Sequence, residues 1–358
     1  MDEKDRQAKL GCKRFLSQHI AVPPAQLLES LARHPAAREP ADLYGDCGAV
    51  AALEARIAEL LGKPAARFFI KGVTAQLCVL RVHAEDRGIA NVAIHPMSHI
   101  DIDEANAIER VGGVRAIRLG RFAPFGIRDL DAVTEPLAAA VVVELPLRRA
   151  GYLLPALEEL RAISDWCRSR GVPLHFDGAR LWEAAAGYGV PLEELAALAD
   201  SVYVSFYKGL GGLGGAILAG SEELVRSLAP WKTRYGGNFY TAFPYAISAL
   251  AGLESHLPRM ADYVGRARSI AVRLAGNPEL IVNPPRPHAN AFQILFSGQP
   301  AELTRGNREF ARAHRVWLFG NFAESAVEGR SIAEIVIGDA SDHYSDEEAV
   351  GWIADFAA

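Results

Sequence analysis

The chain has 358 residues, half of them apolar and 23% charged, with a formal net charge of −5. Lys and Arg are spread along it, which argues against a nucleic-acid or membrane-surface partner, and its length allows one large domain and one small one. Cys12, Cys47, Cys78 and Cys167 stand far apart without a CxxC pair, and the charged start MDEKDRQAKLG lacks an apolar signal core, so a cytoplasmic location with reduced thiols is expected.

Taken in order, residues 1–40 read as an arm or part of a small domain, helical and loop-like, with prolines at 23, 24, 35 and 40. A helix is predicted from Val50 to Leu61, with apolar residues at 50, 53, 57, 60 and 61 on one face, stopped by Gly62. A strand at Arg67–Ile70 leads through Lys71-Gly72-Val73-Thr74-Ala75-Gln76 into a helix ending near Glu85. A glycine turn entering a helix offers free N–H groups and the positive end of the dipole, which suits a phosphate. Further strands are predicted at Asn91–Ile94, Val114–Leu119 and, after a connecting helix, Ala138–Leu145, a β-branched run of central parallel type. His95 and His99 would form a metal pair only on a helix, which Pro96 opposes, and no third ligand stands nearby, so no metal is expected.

The most informative stretch runs from His175 to Gly220. Asp177 ends the apolar run Val172–Phe176, and Lys208 follows the run Ser201–Phe206, with a helix-patterned segment, Leu181–Leu198, between them. Strand, helix, strand puts Asp177 and Lys208 at matching ends of neighbouring parallel strands, where open α/β sheets bind ligands. Pyridoxal 5'-phosphate (PLP) needs such a pair: a lysine for the Schiff base and a carboxylate to keep the pyridine nitrogen protonated. Small residues follow Asp177, with Arg180 three positions on, and Lys208 is followed by glycines at 209, 211, 212, 214 and 215.

The segments HFDGARLWEAA and SFYKGLGGLGGAILAG resemble those of the threonine aldolase and β-eliminating lyase family, PLP enzymes of fold type I, and the resemblance extends from about Asp42 to Gly252. It implies an α/β fold, with a large, mostly parallel PLP-binding domain at 41–256 and a small α/β domain at 257–358. Asp42-Leu43-Tyr44-Gly45-Asp46 is similar to the family's D-x-YG-x-D entrance. By the resemblance, Gly72, Val73 and Thr74 receive the cofactor phosphate, with Lys71 and Gln76 replacing the family's Ser and Asn. It also implies that His99 stacks on the cofactor ring and assists proton transfer, Lys208 carries PLP, Asp177 holds the pyridinium, and Arg180 contacts cofactor or substrate. Trp231–Tyr240 resembles a segment that closes the phosphate site across a subunit interface, with Tyr240 where the family has arginine; a homodimer or homotetramer is implied.

Two departures bear on the substrate. Glu144 matches the family, but Leu145-Pro146-Leu147-Arg148 replaces its asparagine and threonine, implying altered contacts beside the cofactor. By register, Glu334 in the run Ile332–Ile337 stands where the family clamps the substrate carboxylate with arginine, unless the register slips toward Arg330. The expected activity is a PLP-dependent lyase of a β-hydroxy-α-amino acid, by retro-aldol cleavage to glycine and an aldehyde or by β-elimination. PLP-dependent transamination of an atypical amine is the alternative. A nucleotide loop at the glycines is disfavoured, since a P-loop lysine follows its glycines and Lys208 precedes them.

After the core stretch, a strand is predicted at Ala216–Ala219, with helices at Glu222–Leu228, Thr241–His256 and Arg259–Ala275. An alternating α/β pattern follows: strands Ala291–Phe296, Val316–Phe319 and Ile332–Ile337, and a helix from Asp346.

Overall fold

The computed structural model describes residues 3–20, 22–133 and 138–358. The chain divides into two compact units, Pro23–Pro258 and the pair of segments Met1–Val22 and Arg259–Ala358. The first strand, β1 (Arg14–Phe15), belongs to the two-segment unit.

Among the described residues the larger unit holds seven strands: β2 (Ala65–Phe69), β3 (Asn91–Ile94), β4 (Arg115–Arg118), β5 (Ala140–Glu144), β6 (Leu174–Gly178), β7 (Ser201–Ser205) and β8 (Ala216–Gly220). Their order across the sheet is β2-β8-β7-β6-β5-β3-β4. Pairs β4–β3, β3–β5, β5–β6 and β6–β7 are parallel, whereas β8 runs antiparallel to both neighbours. Length explains the exception, because the link from Ser205 to Ala216 is too short for the helical crossover that a parallel strand requires. Strands β5 to β8 are buried along their whole length. Two-sided burial accounts for their runs of Val, Ile, Leu and Phe, each such side chain contributing about 1.5–3 kcal/mol.

Helices follow the predicted faces with shifted ends. Gly48–Leu60 buries Val50, Leu53 and Ile57, and Gly62 turns the chain at φ 58°. The single helix expected over Leu181–Leu198 is instead two, Leu181–Tyr188 and Leu192–Ala196. Gly189 caps the first in the left-handed region at φ 73°, and Pro191 opens the second. The helix expected to stop at Leu228 continues through Pro230 to Arg234, keeping Leu228 and Lys232 on one buried face. Of the connecting helix before β5, Ile127–Asp131 is helical, and residues 134–137 lie outside the described residues.

The other unit contains β9 (Leu280–Asn283), β10 (Ala291–Ser297), β11 (Val316–Trp317), β12 (Ala323–Glu324) and β13 (Arg330–Val336). Four of these form an antiparallel sheet, β12-β13-β10-β9, in place of a strictly alternating α/β arrangement. The strand expected at Val316–Phe319 is shorter and pairs, in parallel, with β1 instead. A capping box at Ser345, whose hydroxyl accepts from the Glu348 N–H at 3.2 Å, starts the last helix, Asp346–Ala357.

Candidate active site

The register of β5, β6 and β7 sets Glu144 opposite Asp177 and Asp177 opposite Tyr203, so two carboxylates stand side by side at the C-terminal edge of the parallel strands. Asp177 is fully buried, and its Oδ1 accepts from the Ala179 N–H at 3.3 Å. Burial alone would raise its pKa, but the hydrogen bond and charge of His99, with Lys208 behind, hold it below the usual carboxylate range. Glu144 goes the other way. Burial and the Asp177 charge raise it, while it accepts the His99 N–H at 2.8 Å and the Arg148 N–H at 3.2 Å.

His99 opens the short helix His99–Ile102, and its Nδ1 lies 3.2 Å from Asp177 Oδ2. Its Nε2 lies 3.0 Å from Glu104 Oε1, a partner that the sequence reading missed. Burial lowers the imidazole pKa, but Asp177 more than compensates and the net shift is upward. His95 is separate, its two ring nitrogens bonded to the Ala123 carbonyl at 2.9 Å and the Met97 N–H at 3.0 Å. It joins no metal pair with His99.

Lys208 lies three residues beyond β7. Burial and the neighbouring Arg180 charge pull its pKa down to about 8, against the opposing pull of Asp177, Glu144 and Glu183. The glycines after it answer to close packing: a Cβ at Gly209 would fall 2.0 Å from Glu183 Oε1, and one at Gly212 would fall 2.9 Å from the Phe206 carbonyl. The loop then enters β8 rather than a helix, which removes the nucleotide-loop reading. Arg180 lies over the Tyr152 ring, 5.2 Å from its centroid. Lys71 and Lys208 approach the same Tyr207 ring, at 5.8 and 5.7 Å, which puts Lys71 close to the site as well.

The helix Gly72–Arg87 begins at Gly72, and no side chain caps its first turn. A Cβ on Gly72 would fall 2.0 Å from Tyr203 Oη, so the backbone lies directly against β7. The glycine pair 236–237 comes against this turn, since a Cβ on Gly237 would fall 3.3 Å from Thr74 Cγ2. Tyr240 is 65% exposed and its ring meets Tyr44 edge-on, 5.6 Å between centroids. Asp42 is buried and accepts from the Ala242 and Phe243 N–H groups at 2.8–3.0 Å, fixing the start of the helix Phe243–His256. In the other unit Glu334 lies on β13 opposite Gln293, and Arg330 donates to the Glu279 and Leu295 carbonyls.

This donor set fits PLP. It offers an ionised buried carboxylate, a lysine with a depressed pKa, and an uncapped helix N-terminus able to receive a dianionic phosphate.

The family model for the beta-eliminating lyases matches residues 16–295. A fungal relative, aldolase vrtJ of Penicillium aethiopicum, is 33% identical over 253 residues, and the match covers 67% of this chain and 63% of the relative. The low-specificity L-threonine aldolase of Escherichia coli K12 is 28% identical, with 72% of this chain and 78% of that enzyme covered. A Listeria monocytogenes crystal structure, provisionally named an L-allo-threonine aldolase, superposes with a TM-score of 0.92 at 32% identity over 99% of both chains. Leishmania major threonine aldolase, 17% identical with a TM-score of 0.75 over 96% of this chain and all of that one, shares the fold. With a family model spanning most of its length and the fold of the type I PLP enzymes, this chain belongs to the beta-eliminating lyase family.

Proposed function

We propose that the chain is a PLP-dependent lyase that cleaves the Cα–Cβ bond of a β-hydroxy-α-amino acid, releasing glycine and an aldehyde, or eliminates a β-substituent. The observation that carries this reading is the meeting of Asp177, His99 and Lys208 at one end of β5–β7. In it, Lys208 is the attachment point, Asp177 the partner of the ring nitrogen and His99 the stacking group. Gly72, Val73 and Thr74 receive the phosphate through backbone N–H groups, with the Tyr240 hydroxyl as a further donor. PLP, when bound, supplies the sink for the electron pair left on Cα. The protein then manages charge and protons: the β-hydroxyl proton leaves as the aldehyde forms, and Cα regains one to give glycine. The depressed pKa of Lys208 leaves part of its amine unprotonated near neutral pH, as attachment requires. Arg180 is the cation proposed for the cofactor or the substrate carboxylate.

Glu334 is proposed, from its register in the family pattern, as a substrate-facing residue. Two like charges about 4 Å apart repel by roughly 4 kcal/mol at an effective dielectric near 20. Glu334→Arg should therefore raise kcat/KM for threonine, and an unchanged value would remove Glu334 from the substrate. Exposed Tyr44, Phe239 and Tyr240 support a homodimer or homotetramer whose copies complete one another's sites, and a light-scattering mass for a fully active monomer would exclude it. No helix among the described residues is long and apolar enough to cross a membrane, and a cytoplasmic location is part of this proposal.

The reaction is tested by incubating the PLP-loaded chain with threonine, allo-threonine and phenylserine, quantifying glycine and aldehyde together. Borohydride reduction and peptide mapping should leave the pyridoxyl mass on Lys208. Failure to release either glycine with aldehyde or a 2-oxo acid elimination product from any of the substrates, or label on another lysine, would overturn the reading.

A further inference from the structure

We infer that Glu104 is a positioning residue that, together with Asp177, locks His99 as an imidazolium, making this histidine a fixed cation rather than a proton acceptor. The inference deepens the lyase reading by giving His99 a defined charge. A carboxylate oxygen stands at each ring nitrogen, Asp177 Oδ2 at 3.2 Å from Nδ1 and Glu104 Oε1 at 3.0 Å from Nε2. Ionised carboxylates only accept hydrogen bonds. A neutral imidazole can donate from one nitrogen alone, and would turn the lone pair of the other against an oxygen. Nδ1 is hydrogen-bonded to Asp177 and the Glu104 carboxylate stands at ion-pair distance from Nε2, so the doubly protonated ring is the state that suits both neighbours.

The surroundings favour that state. The side chains of His99 and Glu104 are 17% and 18% exposed, so solvent screens the contact weakly. The His99 backbone N–H is pinned to Glu144 Oε2 at 2.8 Å, which stops the ring from drifting off its two partners. Charged groups face it from several elements: Asp177 from β6, Glu144 from β5, and Asp103 and Glu104 from its own segment, with the Lys208 cation opposing from beyond β7. Asp103 is turned to Arg148 and Arg149, which leaves Glu104 as the carboxylate beside Nε2. The chain bends immediately after Glu104 through Ala105 at φ 51° and Asn106 at φ 59°, a left-handed pair that is unfavourable for alanine. The helical turn His99–Ile102, closed by Asp103 in the right-handed region, is what sets a residue five positions beyond His99 beside its ring, and the bend follows it. A pinned imidazolium has no lone pair to take the β-hydroxyl proton, so the base of the reaction lies elsewhere. Its positive charge instead fixes the ionised state of Asp177.

The test follows His99 protonation by NMR in the full-length, PLP-free chain carrying labelled histidine, with His99→Gln assigning its resonance among the ten histidines. Native His99 should remain doubly protonated at pH 7, and Glu104→Gln, which keeps the shape but removes the charge, should lower its proton affinity about tenfold. Asp177→Asn should lower it as well. A native ring that is neutral at pH 7, or an unchanged titration in Glu104→Gln, would overturn the inference. The measurement reads the imidazole itself, so it stands or fails separately from the lyase activity.

Discussion

His99 and His175 lie near the same carboxylate and carry opposite charge logic. His175 sits on β6, two residues before Asp177, and is fully buried. Its Nδ1 meets Ser201 Oγ and its Nε2 meets Gln76 Oε1, both at 2.8 Å. Those partners are neutral, and burial pushes its pKa down to about 3. His99 has a carboxylate beside each nitrogen, and Asp177, with the Glu144 charge behind it, raises its pKa despite its own burial. Burial wins at His175 and is overridden at His99. A hydroxyl and an amide keep one histidine neutral inside the sheet, where a charge would be costly, and two anions hold the other charged at the sheet's edge.

The charged edge is the part to break first. Lys208→Ala should abolish covalent attachment of PLP and lower kcat/KM by about 10⁴-fold or more, without the loss of stability expected from damage to the His175 network. Absorbance and turnover read it, and a surviving lysine-bound band would refute the assignment. Asp177→Asn comes next. It should still bind PLP but lose about 10²–10³-fold in kcat, because a neutral amide no longer stabilises the protonated ring nitrogen. Full activity would take Asp177 out of the site.

Acid should single out the neutral interior. His175 titrates near 3 and His83 near 4 in the fold, both displaced downward by burial, against an ordinary value of 6.5. Between those values the unfolded chain binds more protons than the folded one, so stability is fully present above about pH 6.5 and falls as pH drops. His175 alone should account for on the order of 3 kcal/mol by pH 4. His99 has the opposite sign, and its contribution is present at low pH and lost as pH rises through its elevated folded pKa. Urea unfolding at pH 7.5, 5.5 and 4.5 measures the balance, and a flat profile in a His99→Gln chain, which lacks the opposing contribution, would mean that His175 is charged in the fold.

Much of the edge is legible in the sequence. Asp177 and Lys208 each end an apolar run, and glycines mark the close packing beyond Lys208. Gly189 and Pro191 are equally visible, yet the apolar stripe running past them reads as one helix, since periodicity does not reveal a break that the core tolerates. Long-range pairing is the larger obstacle. β1 and β11 are two residues each, and nothing local tells Val316 that its partner is Arg14. Likewise Glu104 looks like a solvated acid until the short helical turn His99–Ile102 sets it beside the His99 ring. Gln76 reads as a variant of a cofactor contact, because a resemblance aligns positions and not side-chain directions.

Gln76 gives the smallest and most selective prediction. It lies on the fifth residue of the helix whose first turn is proposed to receive the phosphate, yet its Oε1 points inward to His175. Gln76→Asn shortens the side chain by one methylene and draws the amide out of hydrogen-bonding reach. One buried nitrogen of His175 then loses its acceptor, at a cost of about 1–3 kcal/mol in unfolding free energy. The first-turn N–H groups of Gly72, Val73 and Thr74 are unchanged, so the Kd for PLP should stay within about twofold of native. A lower urea midpoint at constant m-value, with PLP affinity preserved, assigns Gln76 to the neutral interior. Weakened PLP binding at unchanged stability would move it to the charged edge, and the boundary between the two histidine environments would have to be redrawn through this helix.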